Sequence, residues 1–154
     1  MSNPFPFVAA SVLTAAELNG IGEAWTSFTP VITIGNTPTF TTQYSKYARV
    51  NKIIMWRFSF LLSQAGTASN AVVLTLPVTS TATGGGGVAA VIGAGQIYVV
   101  GTNSTTTLVA NHVSTTTMAF SATGSSGGVN FGASPAATLG ISSYISGAVF
   151  YEAA

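Results

Sequence analysis

Apolar and polar positions alternate most clearly between Ile53 and Leu62. In an extended chain, successive side chains point to opposite faces. One face then carries Ile54, Trp56, Phe58, Phe60 and Leu62, a continuous wall of large apolar groups. The other carries Ile53, Met55, Arg57, Ser59 and Leu61, with one charge at its centre. At 3.6 residues per turn the same apolar groups would point in every direction, so a helix is excluded. The wall calls for a second sheet to cover it.

The same pattern recurs down the chain. Trp25 to Ile34 is rich in aromatic and β-branched residues, and Gly35-Asn36-Thr37-Pro38 is a turn. Thr39 to Val50 supplies one or two strands, and Val50-Asn51-Lys52 a tight reversal, since Asn tolerates positive φ. Ala71 to Leu76 turns Val72, Leu74 and Leu76 inward and stops at Pro77. Two strands are predicted around Gly93 and Gly95, over 88–92 and 96–100. A further pair covers 106–113 and 116–121, and Val129–Phe131 adds a short strand. Ser143 to Glu152 closes the chain, with Ile145, Gly147, Val149 and Tyr151 on one face. Loops lie over 64–70, 79–87 and 123–128, the second ending in four glycines. About eight to ten short strands with turns between them predict an all-β, antiparallel fold, a β-sandwich or a jelly roll.

The first 24 residues differ. Asn3-Pro4-Phe5-Pro6-Phe7 reads as an extended arm, because each proline biases its predecessor away from helix. Thr14 and Glu17 fit a capping box at the start of a short helix over about residues 14–19, which Gly20 and Gly22 then weaken. Two regions follow: 1–24, an N-terminal arm and short helix, and 25–154, the β domain. Phe5, Phe7, Val12, Leu13, Leu18 and Ile21 are the arm's apolar positions, and they are the candidate contacts for attachment or oligomerisation. Burial of one Phe or Leu contributes about 1.5–3 kcal/mol, so several could hold the arm to a partner.

Composition sharpens this picture. Charged residues are 5% of the 154, against about 25% in ordinary soluble domains. So little charge protects a monomer poorly against association, and a homo-oligomer or larger assembly is expected. There is no cysteine, so disulfides and thiol chemistry are excluded. No run reaches the roughly 18 apolar residues that a spanning helix needs, so membrane insertion is not expected. Phe5 to Ala16 lacks a basic flank and is not expected to be a signal peptide.

Candidate chemistry is sparse. His112 is the one histidine, with no Cys or Asp beside it, and it reads as a strand residue with a satisfied hydrogen bond. Metal sites need several convergent ligands, so no metal is expected. The carboxylates are Glu17, Glu23 and Glu152, all near the termini. They fit neither a hydrolytic triad nor a carboxylate pair across a sugar ring. Gly84 to Gly87 is followed by Val88 rather than by Lys and Ser or Thr, so it is no phosphate loop. No catalysis and no cofactor are expected. All four basic residues fall in one stretch: Lys46, Arg49, Lys52 and Arg57. With a net charge of +1 they make a weak phosphate footprint, so nucleic acid is not expected. A basic hairpin that makes subunit contacts, or a solvated tip, is the better reading.

Several stretches resemble small tail-associated proteins of bacteriophages. Val12-Leu13-Thr14-Ala15-Ala16-Glu17-Leu18-Asn19 is similar to their lead-in segment, and Trp25-Thr26-Ser27-Phe28-Thr29-Pro30 to the opening of their β domain. Tyr44 to Lys52 resembles their basic hairpin, with Asn51 where Gly is commoner. Leu74-Thr75-Leu76-Pro77-Val78 resembles a strand ending in Leu-Pro, and Ser146 to Ala154 the closing Gly-x-x-Tyr-Glu-Ala. The resemblance implies a virion structural protein of the minor tail or tail-fibre type, a homotrimer by analogy with fibres. Its expected partners are itself, other virion proteins, and a glycan or protein of the host surface. The alternative is a capsid decoration protein that clamps the head. Sugars stack on flat rings, and the loops over 64–70, 79–87 and 123–128 hold no aromatic residue, which weighs against glycan binding by loops.

Overall fold

The computed structural model describes residues 25–81, 90–122, 130–133 and 136–154. The arm, the short helix and their contact residues Phe5, Phe7, Val12, Leu13, Leu18 and Ile21 lie outside the described residues. So does Val129, and with it part of the predicted strand over 129–131. Among the described residues nine strands follow in order: β1 Thr26–Ser27, β2 Ile32–Thr33, β3 Phe40–Val50, β4 Ile53–Leu62, β5 Val73–Thr75, β6 Val91–Val99, β7 Ser104–His112, β8 Thr117–Ala122 and β9 Tyr144–Glu152. The fold is all-β and antiparallel. All nine strands belong to one sheet, in the order β1-β3-β4-β9-β6-β7-β8-β5-β2.

That order dictates the shape. Strands β1 and β2 are the opposite edges of the sheet, yet only Phe28 to Val31 separates them in the chain. Five residue steps span at most about 18 Å, so the two edges must come close together. A flat sheet of this width would hold them much farther apart, since strands lie about 4.8 Å from their neighbours. The sheet therefore curls into a half-barrel, with residues 28–31 as a strap across its open side. The strap is pinned at both ends. The Phe28 amide donates to the Ser45 carbonyl at 3.2 Å. The Val31 amide donates to Thr75 Oγ1 at 2.9 Å.

Curling changes what covers the aromatic wall. The cover is the far half of the same sheet rather than a separate one. Ile54, Trp56, Phe58, Phe60 and Leu62 are all buried, and they pack in one cluster with Ile32 of β2, Leu74 of β5, Leu108 of β7, and Met118 and Phe120 of β8. Phe58 and Phe120, from opposite walls, have ring centroids 6.3 Å apart. Along β4, Trp56 lies 4.4 Å from Phe58, and Phe58 stacks 5.6 Å from Phe60. Phe28 of the strap meets Trp56 edge-on at 5.5 Å. The one polar atom of this stack is satisfied: Trp56 Nε1 donates to the buried Ser45 Oγ at 3.0 Å.

The predicted reversal at Asn51 is present, with φ 56°. Val72, Leu74 and Leu76 are buried as expected. One boundary is corrected. The two strands expected around Gly93 and Gly95 are a single strand, β6. Glycine usually weakens a strand, but here both glycines face into the barrel, where the neighbouring backbone comes too close for a Cβ. A Cβ on Gly95 would lie 2.6 Å from the Ser146 carbonyl oxygen and 2.8 Å from the Phe120 ring. Its cross-strand partner, Gly147, would meet the Ala94 carbonyl oxygen at 2.8 Å and Phe58 at 2.9 Å. The glycine pair lets two core rings, Phe120 and Phe58, settle onto the backbone.

Candidate functional site

The pairing registers also fix the outer face of the barrel, row by row. One row reads Lys46, Arg57, Ala148, Ala94, Val109 and Ser121 across β3, β4, β9, β6, β7 and β8. The next reads Tyr44, Ser59, Ser146, Gln96 and Thr107. A third carries Leu61, Tyr144, Tyr98 and Thr105. Small residues sit in the middle and larger ones at the margins, so the rows enclose a groove of about 490 Å³. Ser59, Gln96 and Ser146 continue it into a second hollow of about 320 Å³, walled by Tyr98, Thr105 and Tyr144. Gly95 and Gly147 form part of the floor, with Phe58 of the core showing between them. The glycines that admit the core rings on one side thus deepen the groove on the other.

The groove's side chains are partly held in place. The Arg57 guanidinium lies over the Tyr44 ring, 5.8 Å from its centroid. Tyr98 donates from its hydroxyl to Asn103 Oδ1 at 2.6 Å, and its ring lies 6.4 Å from that of Tyr144. Tyr44 and Tyr144 are each about two-fifths exposed, as a contact surface requires. The site therefore offers three tyrosine rings, hydroxyls, one carboxamide and a guanidinium. It can accept and donate hydrogen bonds and stack on flat apolar faces. Tyr98, Tyr144, Gln96, Ser59 and Ser146 were not among the residues singled out from the sequence.

The basic stretch is divided by the pleat. Lys46 and Arg57 are direct cross-strand partners on the outer face. Arg49 pairs with Ile54 instead, and donates from Nε to the Asn51 carbonyl at 2.8 Å. Lys52 lies in the turn, with Nζ 3.8 Å from Glu152 Oε1. The four cations thus fall into two groups, with Arg57 lining the groove and Lys46 its cross-strand partner. Alternation along β3 puts Lys46 and Arg49 on opposite faces, and Arg57 shares the face of Lys46 through its pairing.

Two other groups belong to the fold. His112 is buried in β7 and meets the Tyr151 ring edge-on at 5.7 Å. Tyr151 donates from its hydroxyl to the Val78 carbonyl at 2.9 Å and accepts from the Val78 amide at 3.1 Å. Burial pushes its hydroxyl up from 10.0 to about 12, the Val78 bond lowers it in part, and the Tyr47 hydroxyl raises it slightly. Among the described residues no cluster of His, Asp and Glu could hold a metal ion, and no helix is long and apolar enough to cross a membrane.

No protein-family model, curated protein or solved structure matches this chain.

Proposed function

We propose that this chain is a non-enzymatic structural protein of a bacteriophage particle, a tail-side fibre or minor tail module that touches the host surface with the outer face of its sheet. The observation that carries the reading is the groove on that face, built of tyrosines, hydroxyls and an amide over a rigid core. Grooves of this size, with a few convergent polar groups, are characteristic binding surfaces. The particle context rests on the order of sequence motifs from Val12 to Ala154 and on the very low charge. In this reading the arm over 1–24 is the attachment and trimerisation device, and 25–154 is the exposed domain. The buried cluster from Ile32 to Ala153 gives that domain a core of its own.

A second reading has one observation in its favour. Val50, Ile53 and Phe150 are exposed together at the hairpin end of the outer face. Such a patch suits contact with another protein, and a capsid decoration protein would use it to clamp the head. Labelled antibody on intact particles separates the two. Label at the tail supports the first reading, label over the head supports the second, and no label on particles overturns both. Deleting residues 2–22 should leave β circular dichroism and cooperative melting nearly unchanged while abolishing incorporation. Normal incorporation of the truncated chain would move attachment onto the β domain.

A further inference from the structure

The groove carries an asymmetry that names its ligand. Arg57 lines one margin of the groove, and Lys46 stands directly opposite it on β3. Like charges in that position repel, a modest but definite cost to the sheet. Among the described residues the only carboxylate side chain is Glu152, which lies beside Lys52. Glu152 pairs with Ile53, four residues along β4 from Arg57, so about 13 Å of strand separates them. The Arg57 side chain lines the groove, and an anion placed there would relieve the repulsion and accept paired hydrogen bonds from the guanidinium.

The rest of the groove asks for something other than a simple ion. Tyr44 and Tyr144 are two strands and one pleat row apart, about 12 Å between backbones. Tyrosine rings combine an apolar face with a polar tip, and the C–H face of a pyranose ring packs on such a surface. Beside them, Ser59 and Ser146, and Gln96 and Thr107 on the next two strands, present donors and acceptors along a floor of small residues, matching the hydroxyls of a sugar. A flat peptide strand is a poorer fit, because the central strands have no free backbone edge to pair with it.

We infer that the outer-face groove binds an acidic oligosaccharide, with sugar rings on Tyr44 and Tyr144 and a carboxylate or phosphate of the glycan on Arg57. The inference rests on the reading of the outer face as the working surface and specifies its ligand. Tyr98 is a positioning residue: its bond to Asn103 fixes the ring that flanks Tyr144.

The test uses the full-length protein on an array of bacterial surface oligosaccharides bearing uronate, sialate or phosphodiester groups, together with neutral oligosaccharides. Capture should be confined to acidic members, fall at least tenfold for Arg57→Gln, and fall comparably for Tyr144→Ala. Whether uronate or phosphodiester members are retained identifies the anion. Amide shifts of the labelled protein, titrated with the best-retained member, should concentrate at Arg57, Ser59, Gln96 and Ser146. Capture of no member, equal capture of neutral members, or undiminished capture by Arg57→Gln overturns the inference. Antibody label at the tail alongside any of those results would leave the particle reading standing and remove only the glycan.

Discussion

Arg57 and Phe58 are neighbours in the chain and answer to opposite demands. Phe58 is 3% exposed, with Trp56, Phe60 and Phe120 around its ring. Arg57 is exposed, beside another cation and above a tyrosine ring. The same contrast runs along β9, where Ile145, Val149 and Tyr151 are buried and Tyr144 and Phe150 are exposed. The inner face is closed by packing, and any loss there leaves a cavity. The outer face has small residues where a core would have large ones, so its shape is available to a ligand. One backbone thus serves stability on one side and recognition on the other, and the Gly95–Gly147 pair is where the two faces come closest.

The comparison can be broken in order of expected effect. Phe58→Ala should destabilise by about 3–5 kcal/mol in urea unfolding, because the ring is almost wholly buried among Trp56, Phe60 and Phe120. A loss below about 1 kcal/mol would show that β4 does not face the core as described. Gly147→Val comes next. Its added groups would collide with the Ala94 carbonyl and the Phe58 ring, and a loss of about 1–3 kcal/mol is expected. That substitution should also reshape the groove, so it sharpens the link between the faces. An unchanged melting temperature would mean that the backbone there is not tightly apposed.

Tyr151→Phe tests the polar part of the inner side. It removes both hydrogen bonds to Val78, and should cost about 1–2 kcal/mol at neutral pH. The sign of the pH effect follows from the direction of the shift. A phenol whose folded value is raised from 10.0 to about 12 keeps its proton longer when folded. Its contribution is whole below pH 10.0 and is lost as pH rises towards about 12. Urea midpoints measured across that range should fall less steeply in Tyr151→Phe than in the parent. Equal slopes would place the alkaline loss elsewhere.

Much of the inner face was legible in the sequence, because period-two alternation of large apolar residues is a strong signal wherever one face is sealed. The alternation at Ile53–Leu62 and at Tyr144–Glu152 places every inward residue on the buried or half-buried side. The closure was not legible. Nothing local reveals that Ser27 and Ile32 belong to opposite edges of one sheet, since pairing partners are set by long-range register. The groove was missed for the same reason. Gln96, Tyr98, Tyr144 and Ser146 lie on two strands nearly fifty residues apart in the chain, and become neighbours only through the pairing of β6 with β9. The aromatic residues of the groove stand on strands rather than in loops. The signal available was the outward series Tyr144, Ser146 and Ala148 beside Ala94, Gln96 and Tyr98, which alternates with core positions but is not itself charged. The basic stretch shows the converse: Lys46 and Arg49 are near in sequence, yet the pleat separates them.

The division between the faces is tested most directly by denaturant unfolding of the full chain carrying Tyr44→Ala, Arg57→Gln and Tyr144→Ala together. These side chains are exposed, and their two ring contacts, Arg57 over Tyr44 and Tyr144 beside Tyr98, contribute only about 0.5–1 kcal/mol each. Loss of the Lys46–Arg57 repulsion offsets part of that. The account predicts a total change below about 1.5 kcal/mol, with an unchanged denaturant slope. A loss above about 3 kcal/mol, the scale of a single core phenylalanine, would contradict it and make the outer face part of what holds the barrel closed.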